Sequence, residues 1–393
     1  MSRLKLHISG SKSISNRFLI MEALGDKNVE VDNLSNSDDS EVMQHILANR
    51  DQYSWDVGHA GTAMRFLTAF AAIQKRDIKL CGSERMHQRP IGPLVEALRN
   101  LGAQITYLEE EGYPPLLING QGIKGGVLKI DGQMSSQFIS ALAMIAPCIS
   151  EGLHIEIQNE LVSRPYLAMT LDMMSEFKVQ SVWKDNVIVI PEQSYAIHDY
   201  KVESDWSSAS YWFSFIALGI LPEIELSDYF KSSSQGDSEL VNIFEQLGVE
   251  SHMENGGLVL TNSGECCEFF SYNFHEQPDV AQTVAVCCFI LGIPAELTGL
   301  ETLPIKETNR LMALQVELEK LGAEVNIKNQ DTLVLTKRNR DIPNEPIQIA
   351  TYKDHRMAMS FAPVAFIYPN IEILDRAVVT KSYPNFWQDL AKI

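Results

Sequence analysis

Three segments of the chain share one form: ALRNLGAQITYLEEEGYPPLLING from Ala97, FEQLGVESHMENGGLVLTNSG from Phe244 and ELEKLGAEVNIKNQDTLVLTKR from Glu317. Each reads as an amphipathic helix, a Leu-Gly stop, a strand, a polar turn and a second strand. MMSEFKVQSVWKDNVIVIP, from Met173, is a fourth copy without the glycine. A second pattern alternates with the first. SKSISNRFLIMEALG, AGTAMRFLTAFAA, SSQFISALAMIAP, SSASYWFSFIALG, PDVAQTVAVCCFILG and DHRMAMSFAPVAF are six helix-like stretches that open on small or polar residues and then turn apolar on nearly every face. Such a helix has to be buried on all sides.

The repeating unit is therefore strand, buried helix, strand, amphipathic helix, strand, strand. The six buried helices give six units, which fit two α/β domains of three. The first unit is shortened, because SDDSEVMQHILANRDQYSWDVG leaves no room for a hairpin before the second buried helix. The last unit also reads as incomplete: it ends after a helix near residues 384–392, and the N-terminal strand at residues 3–8 is expected to close it. The chain then starts in one domain, builds the other and returns. The crossings fall near Gly10 and Glu203, giving one domain of residues 10–203 and a second of 1–9 plus 204–393.

Six helix starts facing one cleft would make an anion site, since a helix N-terminus carries unpaired N–H groups and partial positive charge. Eight of the 32 Lys and Arg residues lie at or beside those starts or on connecting segments: Lys12, Arg17, Arg65, Arg89, Lys306, Arg310, Arg356 and Lys381. The net charge is −19, so the chain is no binder of nucleic-acid backbone, and an anionic ligand needs this local basic concentration. The cations suit a substrate with several negative charges. Asp279, Glu307 and Asp354 stand among them, each a candidate general base or acid or else a structural partner of the neighbouring cation. Arg65 equally suits a structural ion pair, Ser135 and Ser136 an N-cap, and His59 and His355 a supporting hydrogen bond.

Hydrophobic content of 45% and charged content of 21% describe a globular protein. The six cysteines form no CxxC pair and read as buried, reduced thiols. No HExxH or paired-His spacing indicates a metal, no GxSxG a serine hydrolase, and no GxGxxG a nicotinamide cofactor; GSKS lacks the glycine spacing of a Walker A loop. No apolar run reaches membrane-spanning length and no signal-type segment opens the chain, so a cytoplasmic protein without membrane association is expected.

In order, GSKSISNR, GHAGTAMR, RMHQRPIGPL, DGQMSSQF, LVSRPY, ESDWSSASY, SQGD, PDVAQT, KETNRL, TYKDHRMAM and TKSYPNF resemble the motifs of the 5-enolpyruvylshikimate-3-phosphate synthases over nearly the whole chain. The resemblance implies the two-domain enolpyruvyl-transferase fold, with each domain of three βαβαββ repeats and the active site in the cleft between them. It implies transfer of the enolpyruvyl group of phosphoenolpyruvate to the 5-hydroxyl of shikimate 3-phosphate by addition and elimination, with release of phosphate and with no metal or organic cofactor. Both partners are small molecules, and a monomer is expected.

Carried over by motif, Lys12, Ser13 and Arg17 meet the shikimate 3-phosphate ring, with Lys12 bridging toward phosphoenolpyruvate. Ser135, Ser136, Gln137, Ser163 and Lys306 hold the shikimate phosphate, with Tyr166 and Thr302 near the ring. Gly61, Arg65, Arg89, Gln137 and Lys381 serve phosphoenolpyruvate and its phosphate, and Arg310 and Arg356 clamp its carboxylate. Asp279 contacts the attacking hydroxyl, Glu307 protonates the methylene carbon, and Lys12 and Lys381 complete the catalytic set. The chain departs from the family pattern at His59, Phe66, Thr302 and Asn309, where Asn or another small polar residue, Pro, Asn and Asp are common. The UDP-N-acetylglucosamine enolpyruvyl transferases share the implied fold but carry a cysteine on the loop that reads ERMHQRP here. A non-catalytic anion-binding protein of the same fold is the other alternative; it predicts a damaged acid–base set, whereas Asp279, Glu307 and Lys381 are all present.

Overall fold

The structure, a computed structural model, describes residues 3–25, 27–133, 135–336 and 342–393. Met134 of the DGQMSSQF motif and the end of the third repeated segment, residues 337 and 338, lie outside them. The chain divides into two compact units, Gly10–Val202 and Met1–Ser9 with Glu203–Ile393.

In the unit Gly10–Val202, three helices, Lys12–Gly25, Gly61–Ala71 and Ser136–Ile145, pack against one another. Phe18, Phe66 and Ile139 have no measurable exposure, as helices apolar on every face require. Two four-stranded sheets cover them. One has the order Ser54–Asp56, Asp77–Cys81, Leu116–Asn119, Gln104–Tyr107, with the first pair parallel and the others antiparallel. The other repeats that plan with Gly126–Asp131, Leu153–Gln158, Val187–Ile190 and Val182–Lys184. The first repeat is short, as its sequence predicts: Val31–Asp32 pairs only with Tyr200–Lys201, and the helix Asp38–Ala48 follows without a hairpin. Its opening strand thus comes from the far end of the unit.

The other unit is built the same way around Trp206–Ala217, Ala281–Leu291 and His355–Ile367, which also touch in pairs. One sheet runs Leu4–Leu6, Glu223–Ser227, Gly257–Asn262, Val249–Glu254 and a second Phe270–Asn273, Ala295–Thr298, Thr332–Leu335, Val325–Lys328. Among the described residues the last repeat has only Ile347–Ile349 beside Ile371–Ile373, so it is truncated like the first.

The N-terminal strand does not close that last repeat. It opens the fourth, pairing parallel with Glu223–Ser227 so that Leu4 faces Ile224 and Leu6 faces Leu226. Leu6 and Ile8 join the core of this unit. On the other face Arg3 reaches Glu223 and Glu254, each at 2.8 Å, and Lys5 reaches Glu225 at 2.8 Å. A register slip by one residue would exchange these faces. The cysteines also differ from expectation: Cys287 and Cys288 are buried, whereas Cys148 and Cys266 are exposed. No helix of the described residues is long and apolar enough to cross a membrane.

Both crossings are tightly held. At Gly10 an added Cβ would stand 1.8 Å from Asn33 O, so only glycine lets the two segments touch. Glu203, which the sequence reading put in the domain of residues 10–203, belongs with the residues after it. Its buried carboxylate accepts from Trp206 Nε1 at 3.0 Å, Phe230 N at 2.9 Å, Ser233 Oγ at 2.5 Å and Gln235 Nε2 at 2.8 Å. Glu203→Ala should lower the stability of this unit by about 3 kcal/mol or more, because it strands several buried donors at once. Urea unfolding followed by tryptophan fluorescence checks this; a loss under about 1 kcal/mol would show those donors to be satisfied otherwise.

Candidate active site

In the unit Gly10–Val202, the predicted residues gather at the starts of the buried helices. Lys12 opens the first, with Nζ 3.8 Å from Asp39 Oδ2. Arg17, one turn on, is buried. It donates to Thr170 Oγ1 at 2.7 Å, Ser13 O at 2.8 Å and Tyr166 O at 3.1 Å, and its guanidinium lies over the Phe66 ring. Burial pulls its pKa down, yet a guanidinium with these acceptors keeps its charge. Arg17 therefore fastens the first helix to the start of Arg164–Glu176, where Ser163 and Tyr166 sit. Ser163 has φ +55°, a left-handed conformation uncommon for serine.

The second helix starts at Gly61, where a Cβ would stand 2.5 Å from an Arg89 guanidinium nitrogen. Glycine is what lets Arg89 lie on this helix start. Arg65 donates to Gly61 O and to Gln137 Oε1, both at 3.1 Å, which links Gly61, Arg65, Arg89 and Gln137. Ser135 occupies the N-cap position of the third helix, but its side chain makes no capping bond, so capping does not account for it. Ser136 is buried beside it. His59 Nδ1 lies 2.8 Å from Ser83 Oγ, the supporting role open to it from sequence.

In the other unit, acids and cations interlock. Asp279 takes Arg310 at 3.0 Å on Oδ1 and Arg356 at 3.0 Å on Oδ2, with Lys306 Nζ 3.5 Å away. Glu307 bridges Arg310 and Lys381, each at 2.9 Å. Arg310 is 1% exposed, and its Nε meets the fully buried Asp354 at 2.7 Å. Asp354 also caps the His355 helix, accepting from Arg356 N at 2.9 Å. Burial alone would raise the Asp279 pKa, but Arg356, Lys306 and Arg310 outweigh it and hold the carboxyl well below its usual range. Burial lowers the Lys306 pKa, assisted by Arg310 and Arg356 and opposed by Asp279 and Glu307. Thr302 heads a short turn with a buried hydroxyl that has no hydrogen-bond partner among the described residues.

Sequence reasoning gave no role to Ser207 and Asp237, although both lie inside quoted motifs, ESDWSSASY and SQGD. Ser207 Oγ hydrogen-bonds Asp237 Oδ2 and accepts from Arg356 at 3.3 Å. Asp237 is buried, and its Oδ1 has no hydrogen-bond partner among the described residues. Among the described residues no group of three or more His, Cys, Asp or Glu is placed to hold a metal ion.

A family model described as EPSP synthase (3-phosphoshikimate 1-carboxyvinyltransferase) matches residues 3–53 and 48–390. The chain belongs to the EPSP synthase family. A 3-phosphoshikimate 1-carboxyvinyltransferase of Bacteroides fragilis is 44% identical over 388 residues, covering 98% of this chain and 94% of that one. One from Yersinia ruckeri is 37% identical over 418 residues, covering 99% and 95%. The solved EPSP synthase of Acinetobacter baumannii shares the fold, with a TM-score of 0.77 at 18% identity over 99% of this chain and 96% of that chain.

In this EPSP synthase family member the surroundings of Asp237 predict a pH dependence of stability. Burial first, then repulsion from Asp279, raises its pKa from 3.8 to about 6. The folded state therefore holds this proton more tightly than the unfolded state, and the group subtracts stability as pH rises from 3.8 to about 6. Asp237→Asn should raise Tm above pH 7 and leave it nearly unchanged near pH 4, with a gain of at most about 3 kcal/mol. Scanning calorimetry at the two pH values checks this; an equal shift at both would assign the effect to packing.

Proposed function

We propose that Arg310 and Arg356 receive the carboxylate of phosphoenolpyruvate, and that Asp279 and Glu307 move the protons of an enolpyruvyl transfer. The reaction is that of the family: the chain moves the enolpyruvyl group of phosphoenolpyruvate to the 5-hydroxyl of shikimate 3-phosphate and releases phosphate, on the shikimate pathway toward aromatic amino acids. The observation that carries the division of roles is that each acid is wedged between cations: Asp279 among Lys306, Arg310 and Arg356, Glu307 between Arg310 and Lys381.

With only the protein's own cations around it, Asp279 is a weak base. Substrate carboxylate and phosphate compete for those cations. As the cations turn to substrate, Asp279 recovers basicity and takes the proton of the attacking hydroxyl. As Arg310 and Lys381 turn to substrate, Glu307 takes up a proton from solvent and gives it to the methylene carbon, making C2 cation-like for attack. It takes one back from the resulting methyl group as phosphate leaves, and the hydroxyl proton held by Asp279 departs with the phosphate. Lys381, Lys12, Arg89 and Arg65 meet the charge on the departing phosphate, with Gly61 and Gln137 beside them. Lys306, Ser13, Ser135, Ser136, Gln137 and Ser163 hold shikimate 3-phosphate, with Tyr166 and Thr302 at its ring and Arg17 fixing the segments that carry these groups. One chain supplies both sets, which supports a monomer, and we place it in the cytoplasm.

Purified protein should release phosphate from phosphoenolpyruvate only when shikimate 3-phosphate is present; release indifferent to it would overturn the reading. Asp279→Ala should lower turnover by about 10²-fold or more while calorimetry still detects both substrates. Glu307→Gln should slow the appearance of deuterium in the product and in recovered phosphoenolpyruvate when the reaction runs in deuterated water. Variants that keep normal turnover while melting at lower temperature would make both acids structural.

A further inference from the structure

The segment before the His355 helix carries unusual backbone. Tyr352 has φ +55° and Lys353 has φ +58°, two consecutive non-glycine residues in the left-handed region. Such a pair persists only where its surroundings hold it. One residue further, Asp354 meets Arg310, and the next but one is Arg356. The orientation of the two arginines thus depends on how this turn is held.

The hold comes from the helix that carries Arg310. Glu317 lies on Arg310–Lys320, two turns beyond Arg310, so both face the same side. Its carboxylate is fully buried, and the hydrogen-bond partners it has in Lys320, Ala350 and Tyr352 are not residues of the candidate active site. It accepts from the Tyr352 hydroxyl at 2.6 Å, from Lys320 Nζ at 2.6 Å and from Ala350 N at 3.2 Å. Lys320 Nζ also donates to Gln348 O at 3.0 Å. The Arg310 helix therefore grips residues 348, 350 and 352 in succession, and Asp354 N closes the turn on Thr351 O at 2.8 Å. The Tyr352 ring is more than a third exposed, so packing alone does not hold it, and its hydroxyl bond is the last tie before the strained pair.

We propose that Glu317 and Tyr352 are positioning residues for the carboxylate clamp, and that their hydrogen bond sets Arg356 relative to Arg310. This rests on the reading that the two arginines receive the phosphoenolpyruvate carboxylate. Burial, and then the bond to Glu317, raise the Tyr352 pKa to about 12, so the hydroxyl stays a donor through the working pH range.

Tyr352→Phe removes one hydroxyl from a half-exposed ring and leaves the fold intact. It should raise KM for phosphoenolpyruvate about 5- to 20-fold, at or below the roughly 10- to 150-fold of a whole hydrogen bond to a charged group because the effect reaches the clamp indirectly, while the dissociation constant of shikimate 3-phosphate stays within about twofold. Glu317→Gln keeps an acceptor for Tyr352 and should show a smaller rise. The double variant should fall short of the product of the single effects, because both act through one bond. An unchanged KM for phosphoenolpyruvate in Tyr352→Phe, or equal weakening of both substrates with a lower Tm, would overturn the proposal. Arg356→Lys separates the two readings. If it raises KM for phosphoenolpyruvate while Tyr352→Phe does not, the clamp stands and the tie fails; if it leaves that KM unchanged, the clamp itself fails.

Discussion

A helix that is apolar on every face can exist only where other elements cover it on all sides, and this chain has three such helices in each unit. The requirement dictates the rest. The helices pack on one another, and sheets with amphipathic helices close around them. The places where such a helix stops being apolar are its ends. Its first-turn N–H groups still need partners, so polar residues concentrate there. The cluster of Lys353, Asp354, His355 and Arg356 before an apolar helix follows from this: Lys353 is exposed, while Asp354, His355 and Arg356 are buried at the helix start, where Asp354 caps the helix and pairs with Arg310.

Placing charge beside a core is costly unless the charges are paired. Arg310 shows how this chain meets the condition. Burial works against its charge, but Asp354, Glu307 and Asp279 outweigh that and raise its pKa. The same three acids orient it. Asp354 takes Nε, fixing the plane of the guanidinium, and Asp279 and Glu307 take the outer nitrogens. The ion pairs that make a buried arginine tolerable also preorganise it, and they put the candidate proton-transfer acids within reach of the same cations. The contacts that stabilise the buried arginine are thus also those of the candidate site.

Much of this was legible in the sequence because periodicity carries it. The Leu-Gly hairpin segments and the six apolar helices follow from local spacing, and both patterns fall on the structure where expected. The partner of the N-terminal strand was not legible. LKLHI would suit several sheet edges, and its pairing with Glu223–Ser227 depends on residues more than 200 positions away. The incompleteness of the last repeat was legible, but the strand expected to close it pairs elsewhere. The cations at helix starts were legible as a set. That Arg17 is a buried fastener, and that Asp237 sits where burial shifts its proton affinity, depends on solvent exposure that no local pattern encodes.

The two missing hairpins show which parts of the repeat the site needs. In three of the four complete sheets the strand that leads into the buried helix lies at one edge, in the fourth that edge is the N-terminal strand, and in all four the hairpin joins the far side of the second strand. A repeat without the hairpin therefore loses its outer flank but keeps its buried helix and the parallel strand pair beside it. The helix starts carry the candidate functional groups: Lys12 and Ser13 open Lys12–Gly25, and Arg356, at the start of His355–Ile367, follows Ile347–Ile349 in sequence. Truncation at the first and last repeats thus subtracts sheet without touching a helix start. The last repeat still needs something to steady its strained turn once a hairpin is absent, and the neighbouring repeat supplies it, through Glu317 on Tyr352 and Lys320 on Gln348.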